Sequence, residues 1–331
     1  MSHFSTNVYA STDRNKKFRW YDSVINTFPN SKLIEEREYY PSDLAIIYSW
    51  INDKKNGSET DKGKILNYKK HILEEQKRLS KHVMAIDNSL FVYKDQRYIH
   101  NYLRYSLDGI FANTGYYFDN NVDKSRWDAI RKNLSIQVKP WRKKGDHILI
   151  CLQRINGFSF DYEKDLADWL IGTLLKLSKV TDRKIVIRKH PGDNHSRLFI
   201  RKAILTVNNR STRSISDKSR SIKNIVTISS NSRIEEDLEN AWCCITYNSS
   251  PSVVSVIEGV PVFVMDPTPQ KSQAYPMCNT DLSMVETPFL PENRQEWLEK
   301  ISMSHFTPED ISNGLLYRAT AGFFEERYGK V

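Results

Sequence analysis

The chain has 331 residues with 49 Lys and Arg against 40 Asp and Glu, a net charge of +9; this length suits two α/β domains and excludes a peptide-sized or disulfide-stapled scaffold. Apolar residues make up 39% and aromatics 11%, enough to build cores and too much for a disordered polyampholyte. No stretch approaches the roughly 18 apolar residues of a membrane span; the most apolar, Val253 to Val264, is broken by Glu258, Gly259 and Pro261.

Met1 to Lys17 is polar and lacks the apolar core of an export leader. The first third then alternates strand and helix signals. Asn7 to Ala10 reads as a strand, Lys16 to Phe28 as an amphipathic helix, Leu44 to Trp50 as a buried strand, Ile65 to Lys81 as a charged amphipathic helix and Val83 to Ile86 as a strand, with Asn52 to Lys64 an exposed loop. Val138 to Asp146, with Pro140, Gly145 and several cations, breaks the pattern and reads as an interdomain linker.

A second α/β unit follows: strand Ile148 to Leu152, helix Tyr162 to Ser178, strand Lys184 to Arg188, a long polar stretch, strand Val226 to Ile228, helix Ile234 to Asn240, strand Trp242 to Thr246, helix Ser252 to Glu258 and strand Val260 to Met265. Near-continuous apolar strands separated by helices predict a parallel sheet covered on both faces. Ser232 and Glu235 have capping-box spacing. Pro308 to Tyr328 reads as a final helix or helix pair. Cys151, Cys243 and Cys244 fall in strand-like runs and read as core residues of a reduced compartment, so the expected location is a cytoplasm.

Two segments carry chemistry. Ile185 to Pro191 (IVIRKHP) places Arg188, Lys189, His190 and Pro191 at the carboxyl end of a parallel strand, where open α/β sheets bind ligands. Ile245 to Val262 (ITYNSSPSVVSVIEGVPV) places Asn248, Ser249 and Ser250 in a turn with Pro251 at the start of a helix, which offers backbone N–H groups and hydroxyls to a phosphate.

In this order and separation the two segments resemble the nucleotide-binding half of GT-B glycosyltransferases, in particular the capsule-polysaccharide and Kdo transferase group with its sialyltransferase relatives. The resemblance covers about His147 to Asp266. It implies that a basic-HP motif (Lys189, His190, Pro191) and a serine motif with a Glu–Gly–Pro–Val segment after it (Ser249, Ser250, Glu258, Gly259, Pro261, Val262) hold the nucleotide of a UDP- or CMP-type sugar. Gln153 and Arg154 stand in the loop after the first strand of this half, and Arg188 and Asn248 beside the two motifs. The implied fold is α/β, with two Rossmann-like domains facing each other across a cleft: an acceptor-side domain at 1–140, a donor domain at 141–305, and a C-terminal helix at 306–331 packing back on the first.

On the acceptor side, Ala85 to Asn88 ends a strand and Tyr102 to Gly109 (YLRYSLDG) follows, similar in order to the acidic residue and R-x-S-x-D-G-like segment of the same transferases. An acceptor hydroxyl must lose its proton as it attacks the anomeric carbon, and Asp87, with Asp108 as rival, is the candidate base. No D-x-D sequence ends a strand, so the leaving phosphate is expected to be met by protein cations and no metal. Arg197 to Lys223 carries eight cations against Asp217, a local charge of 8 − 1 = +7, read either as a solvated loop or as an arm for a polyanion. The polyanion reading makes DNA the expected partner and a hydroxylated or hydroxymethylated base, as in phage DNA, the acceptor, with Arg104, Lys143, Lys144, Arg210, Arg213, Arg220 and Lys223 contacting it. A capsule or lipopolysaccharide acceptor is the alternative, and a non-enzymatic nucleic-acid-binding protein the third reading.

Overall fold

The computed structural model describes residues 4–10, 21–51, 61–92, 102–154, 166–193, 196–211 and 225–329. These fall into two units. One comprises the described parts of Met1–Ser89, Asp95–Leu134 and Gln295–Val331; the other comprises those of Leu90–Lys94 and Ser135–Arg294.

The first unit holds β1 (Thr6–Tyr9), α1 (Tyr21–Thr27), β2 (Ser31–Ile34), β3 (Leu44–Tyr48), α2 (Asp61–Arg78), β4 (His82–Asn88), β5 (Leu103–Leu107) and α3 (Lys124–Asn133). The second holds β6 (His147–Cys151), α4 (Leu166–Val180), β7 (Lys184–Arg188), α5 (Ser196–Ser211), β8 (Val226–Ile228), α6 (Ile234–Leu238), β9 (Ala241–Thr246), α7 (Pro251–Ile257) and β10 (Val262–Val264). The chain then runs through α8 (Arg294–Ser302) to β11 (His305–Phe306), α9 (Pro308–Ser312) and α10 (Leu315–Tyr328) of the first unit.

The first sheet has the order β11-β5-β4-β3-β1-β2, parallel from β1 to β4 and antiparallel at β5 and β11. Strand alternation assigns its two faces. Leu44, Ile46, Met84 and Ile86 pack with Phe4, Leu316, Phe323 and Phe324 of the terminal segments, while Ala45, Ile47 and Val83 pack with Tyr68 and Ile72 of α2. The Phe4 and Phe324 rings stack at 4.4 Å, which ties α10 to the first strand's neighbourhood.

The second sheet, β8-β7-β6-β9-β10, is parallel throughout. Numbered within the unit, its order is 3-2-1-4-5, so the chain reverses direction of growth between β6 and β9 and leaves a crevice outside their carboxyl ends. α4 covers one face because Leu166, Trp169, Leu170, Thr173, Leu174 and Leu177 recur at helical spacing and are all buried.

Several expectations change. The predicted linker belongs to the second unit: Lys139 N–H donates to Ile257 O, Arg142 N–H donates to Gly259 O, and Lys139 pairs with Glu258. Gly259 is needed there, because φ is +72° and a Cβ would lie 2.0 Å from Pro140 O. The chain passes between units near 134 and 294 rather than 140 and 305, since β11 pairs with β5. Part of the polar stretch after β7 is helix α5, folded because Ile200, Ala203 and Val207 share one buried face. The capping box predicted at Ser232 does not form; Arg233 occupies the N-cap without a side-chain bond. Such a box forms at Thr307 and Asp310 of α9 instead.

Candidate active site

Side chains from three strand ends meet at the crevice of the second sheet. Gln153 follows β6 and is buried, and its Oε1 accepts from the Asn248 backbone N–H at 3.3 Å across the β6–β9 reversal point. Asn248 follows β9, and its Nδ2 donates to Asp266 Oδ2 at 2.8 Å; Asp266, beyond β10, is held in turn by the Thr268 N–H. The turn is therefore braced on both sides before any ligand arrives.

Ser249 and Ser250 lead into α7, with Pro251 at its first position and no side-chain cap from Ser250. The Ser249 hydroxyl is buried and has no hydrogen-bond partner among the described residues. The same holds for Thr246 Oγ1 at the last position of β9 and for Trp169 Nε1 in the first turn of α4, whose ring meets Tyr247 edge-on. A buried polar atom without a partner costs about 1–3 kcal/mol. Three of them at one end of one sheet mark a place fitted for a polar ligand.

His190, two residues beyond the end of β7, is half-buried, and its Nδ1 accepts from Gly192 N–H at 3.0 Å. The ring proton then sits on Nε2, free to donate. Burial, with Arg154 next, holds His190 below the ordinary histidine range, so the neutral ring is the working form. Lys189 is half-buried, Arg154 and Pro191 are exposed. Among the described residues no group of His, Cys, Asp or Glu gathers as a metal-ligand set.

Two predicted donor residues are placed otherwise. Arg188 is buried, and its guanidinium bonds Asp237 Oδ2 at 2.5 Å and the carbonyls of Asn231, Ser232 and Arg233. It fixes the loop before α6 rather than meeting a phosphate, and Asp237 also accepts from Ser229 and Asn231. Glu258 caps the far end of α7 and pairs with Lys139; a helix of seven residues carries it about 10 Å from the serine turn, toward the amino edge of the sheet.

The first unit separates the two candidate bases. Asp87 lies at the carboxyl end of β4, a quarter exposed, with Arg104 Nη2 3.2 Å from Oδ2 and the Asn88 N–H on Oδ1. Asp108 follows antiparallel β5 and so reaches the amino end of β4, where Oδ1 accepts from Val83 N–H and Oδ2 lies 2.6 Å from His82 Nδ1. Asp108 lies opposite Val83, so four residue steps of strand, roughly 13 Å, separate it from Asp87. Asp108 holds a positive φ of 59° at the turn after β5.

The predicted acceptor cations divide similarly. Arg104 is 2% exposed and bonds Asp87 and Tyr117, so it offers no surface to DNA. Lys143 and Lys144 are exposed just before β6, at the amino edge of the second sheet. Arg210 lies on α5 with its side chain outside the described residues, and Arg213, Arg220 and Lys223 lie outside them entirely. Thr246, Trp169, Asp237 and Asp266 escaped the sequence reading: the first two look like core residues of a strand and a helix, and the carboxylates acquire roles only through distant partners.

The fold and site define a mixed α/β protein with two parallel-dominated sheets and a polar crevice at a strand-order reversal. No protein-family model matches the chain and no curated protein matches it. Among solved structures it is similar to two KpsC structures from Thermosulfurimonas dismutans. The β-Kdo 2,7 transferase is 15% identical, with a TM-score of 0.45, over 95% of this chain and 99% of that one. The β-Kdo 2,4 transferase is 10% identical, with a TM-score of 0.47, over 96% and 98%. TarM is 11% identical, with a TM-score of 0.33, over 91% of this chain and 50% of its own.

Proposed function

We propose that the protein is a glycosyltransferase that moves a sugar from a nucleotide donor to a hydroxyl acceptor. The observation that carries the reading is the braced crevice between β6 and β9, where the Ser249 hydroxyl, without a partner among the described residues, stands at the amino end of α7; the Nε2–H of His190 lies beyond the carboxyl end of β7 in the same sheet, and both segments resemble a transferase's two nucleotide motifs. Those groups suit a phosphate that gains charge as the bond to the anomeric carbon breaks. Lys189 and Arg154 add positive charge at the same edge.

Asp87 is the proposed general base. It accepts the proton of the acceptor hydroxyl, and Arg104 is its positioning residue rather than an acceptor contact. Because protein groups receive the leaving charge, a chelator is expected to leave transfer unchanged, checked by rate with and without it.

The acceptor is proposed as a hydroxylated DNA base or a glycan of the Kdo or sialic acid polysaccharide kind. The burial of Arg104 removes one of the cations that favoured DNA. The test of the donor site is nucleotide-sugar binding: Ser249→Ala and His190→Ala each remove a hydrogen bond to a charged group, and each is expected to weaken affinity by about 1.5–3 kcal/mol with the fold intact. Unchanged affinity in both variants would refute the site.

A further inference from the structure

Helix α5 has two faces of unlike chemistry. Ile200, Ala203 and Val207 turn inward to the core of the second unit. On the opposite side, Leu198 and Leu205 are 74% and 56% exposed, a separation of seven residues that puts them two turns apart on one stripe. Between and beside them Arg201, Lys202 and Arg197 are exposed, and none has an ion-pair partner among the described residues.

An aqueous surface gains nothing by presenting two leucines between cations. A nucleic acid rewards only the cations, since its phosphates make no use of apolar side chains. A surface of anionic lipid rewards both: the headgroups attract the cations, and the leucines enter the boundary between headgroup and acyl chain. The sequence from Arg197 to Lys223 carries a net +7, which extends the attraction beyond these two turns.

We propose that the outer face of α5 docks the protein onto an anionic lipid surface, with Leu198 and Leu205 inserted and Arg197, Arg201 and Lys202 on the headgroups. The proposal stands apart from the sugar-transfer reading, and its test needs no activity. Flotation of the full chain with vesicles of phosphatidylcholine and phosphatidylglycerol, beside pure phosphatidylcholine vesicles and a DNA duplex, measures it. Binding is expected to the mixed vesicles and not to pure phosphatidylcholine, and to weaken at high salt. Arg201→Gln with Lys202→Gln is expected to lower the partition constant about fivefold per charge. Leu198→Gln with Leu205→Gln, both on the solvent side, is expected to lower it about tenfold or more.

Failure to float with the mixed vesicles overturns the proposal. So does flotation that the leucine substitutions leave unchanged, and so does tight duplex binding that depends on the cations and is indifferent to the leucines. If the leucine variant fails to fold, the charge variant decides: flotation at the parent's level overturns the assignment.

Discussion

Asp87 and Asp108 are alike in the sequence, each an aspartate near the end of an apolar run, and the antiparallel turn of β5 sends them to opposite edges of one sheet. Only Asp87 lies at a carboxyl edge. Asp87→Asn is therefore expected to lower transfer by about 10²–10⁴ while donor binding persists, and Asp108→Asn to retain transfer and lose stability through its bonds to His82 and Val83. Steady-state rates beside thermal melts separate the two. The residue types at the crevice were legible, because Lys189–His190–Pro191 and Asn248–Ser249–Ser250 sit where apolar runs end. Arg188 was not: nothing local shows that a carboxylate 49 residues later takes its charge.

At the scale of elements, periodicity revealed most strands and helices, since buried parallel strands and α4 advertise themselves by continuous or i, i+3, i+4 apolar positions. α5 escaped because three small or aliphatic residues suffice to bury one face while its other positions read as a polar loop. β11, two residues long, has no periodicity at all, yet it carries His305 against Arg104. Burial, reinforced by Arg104, pushes the His305 ring down to about 3. The unfolded chain takes up that proton first, so stability is full above about pH 6.5 and falls as pH drops toward 3. The loss reaches about 2 kcal/mol by pH 5. His305→Gln is expected to lack this component, read as the difference between the two proteins' denaturant midpoints across the range.

For the whole molecule, strand and helix alternation on either side of Val138 to Asp146 made two α/β units legible, but the strap of that segment along α7 and the return of α8 were not, because both rest on contacts far apart in sequence. The division has a measurable consequence. Phe324→Ala removes a ring stacked on Phe4 in the first unit's core and is expected to cost about 3–5 kcal/mol there. With the donor site proposed in the second unit, donor affinity is expected to hold at temperatures below the lowered melt, checked by calorimetry with and without nucleotide sugar.

The central claim is that the crevice outside β6 and β9 holds a nucleotide sugar whose sugar is passed to a hydroxyl. Incubation of the protein and of Ser249→Ala with labelled UDP- and CMP-sugars, offered hydroxymethylated DNA, unmodified DNA and a polysaccharide, tests it most directly. The expected result is label on a hydroxylated acceptor from one donor class, reduced about tenfold or more in Ser249→Ala at limiting donor. No transfer from any donor, or transfer that Ser249→Ala leaves at the parent's rate, would contradict the account.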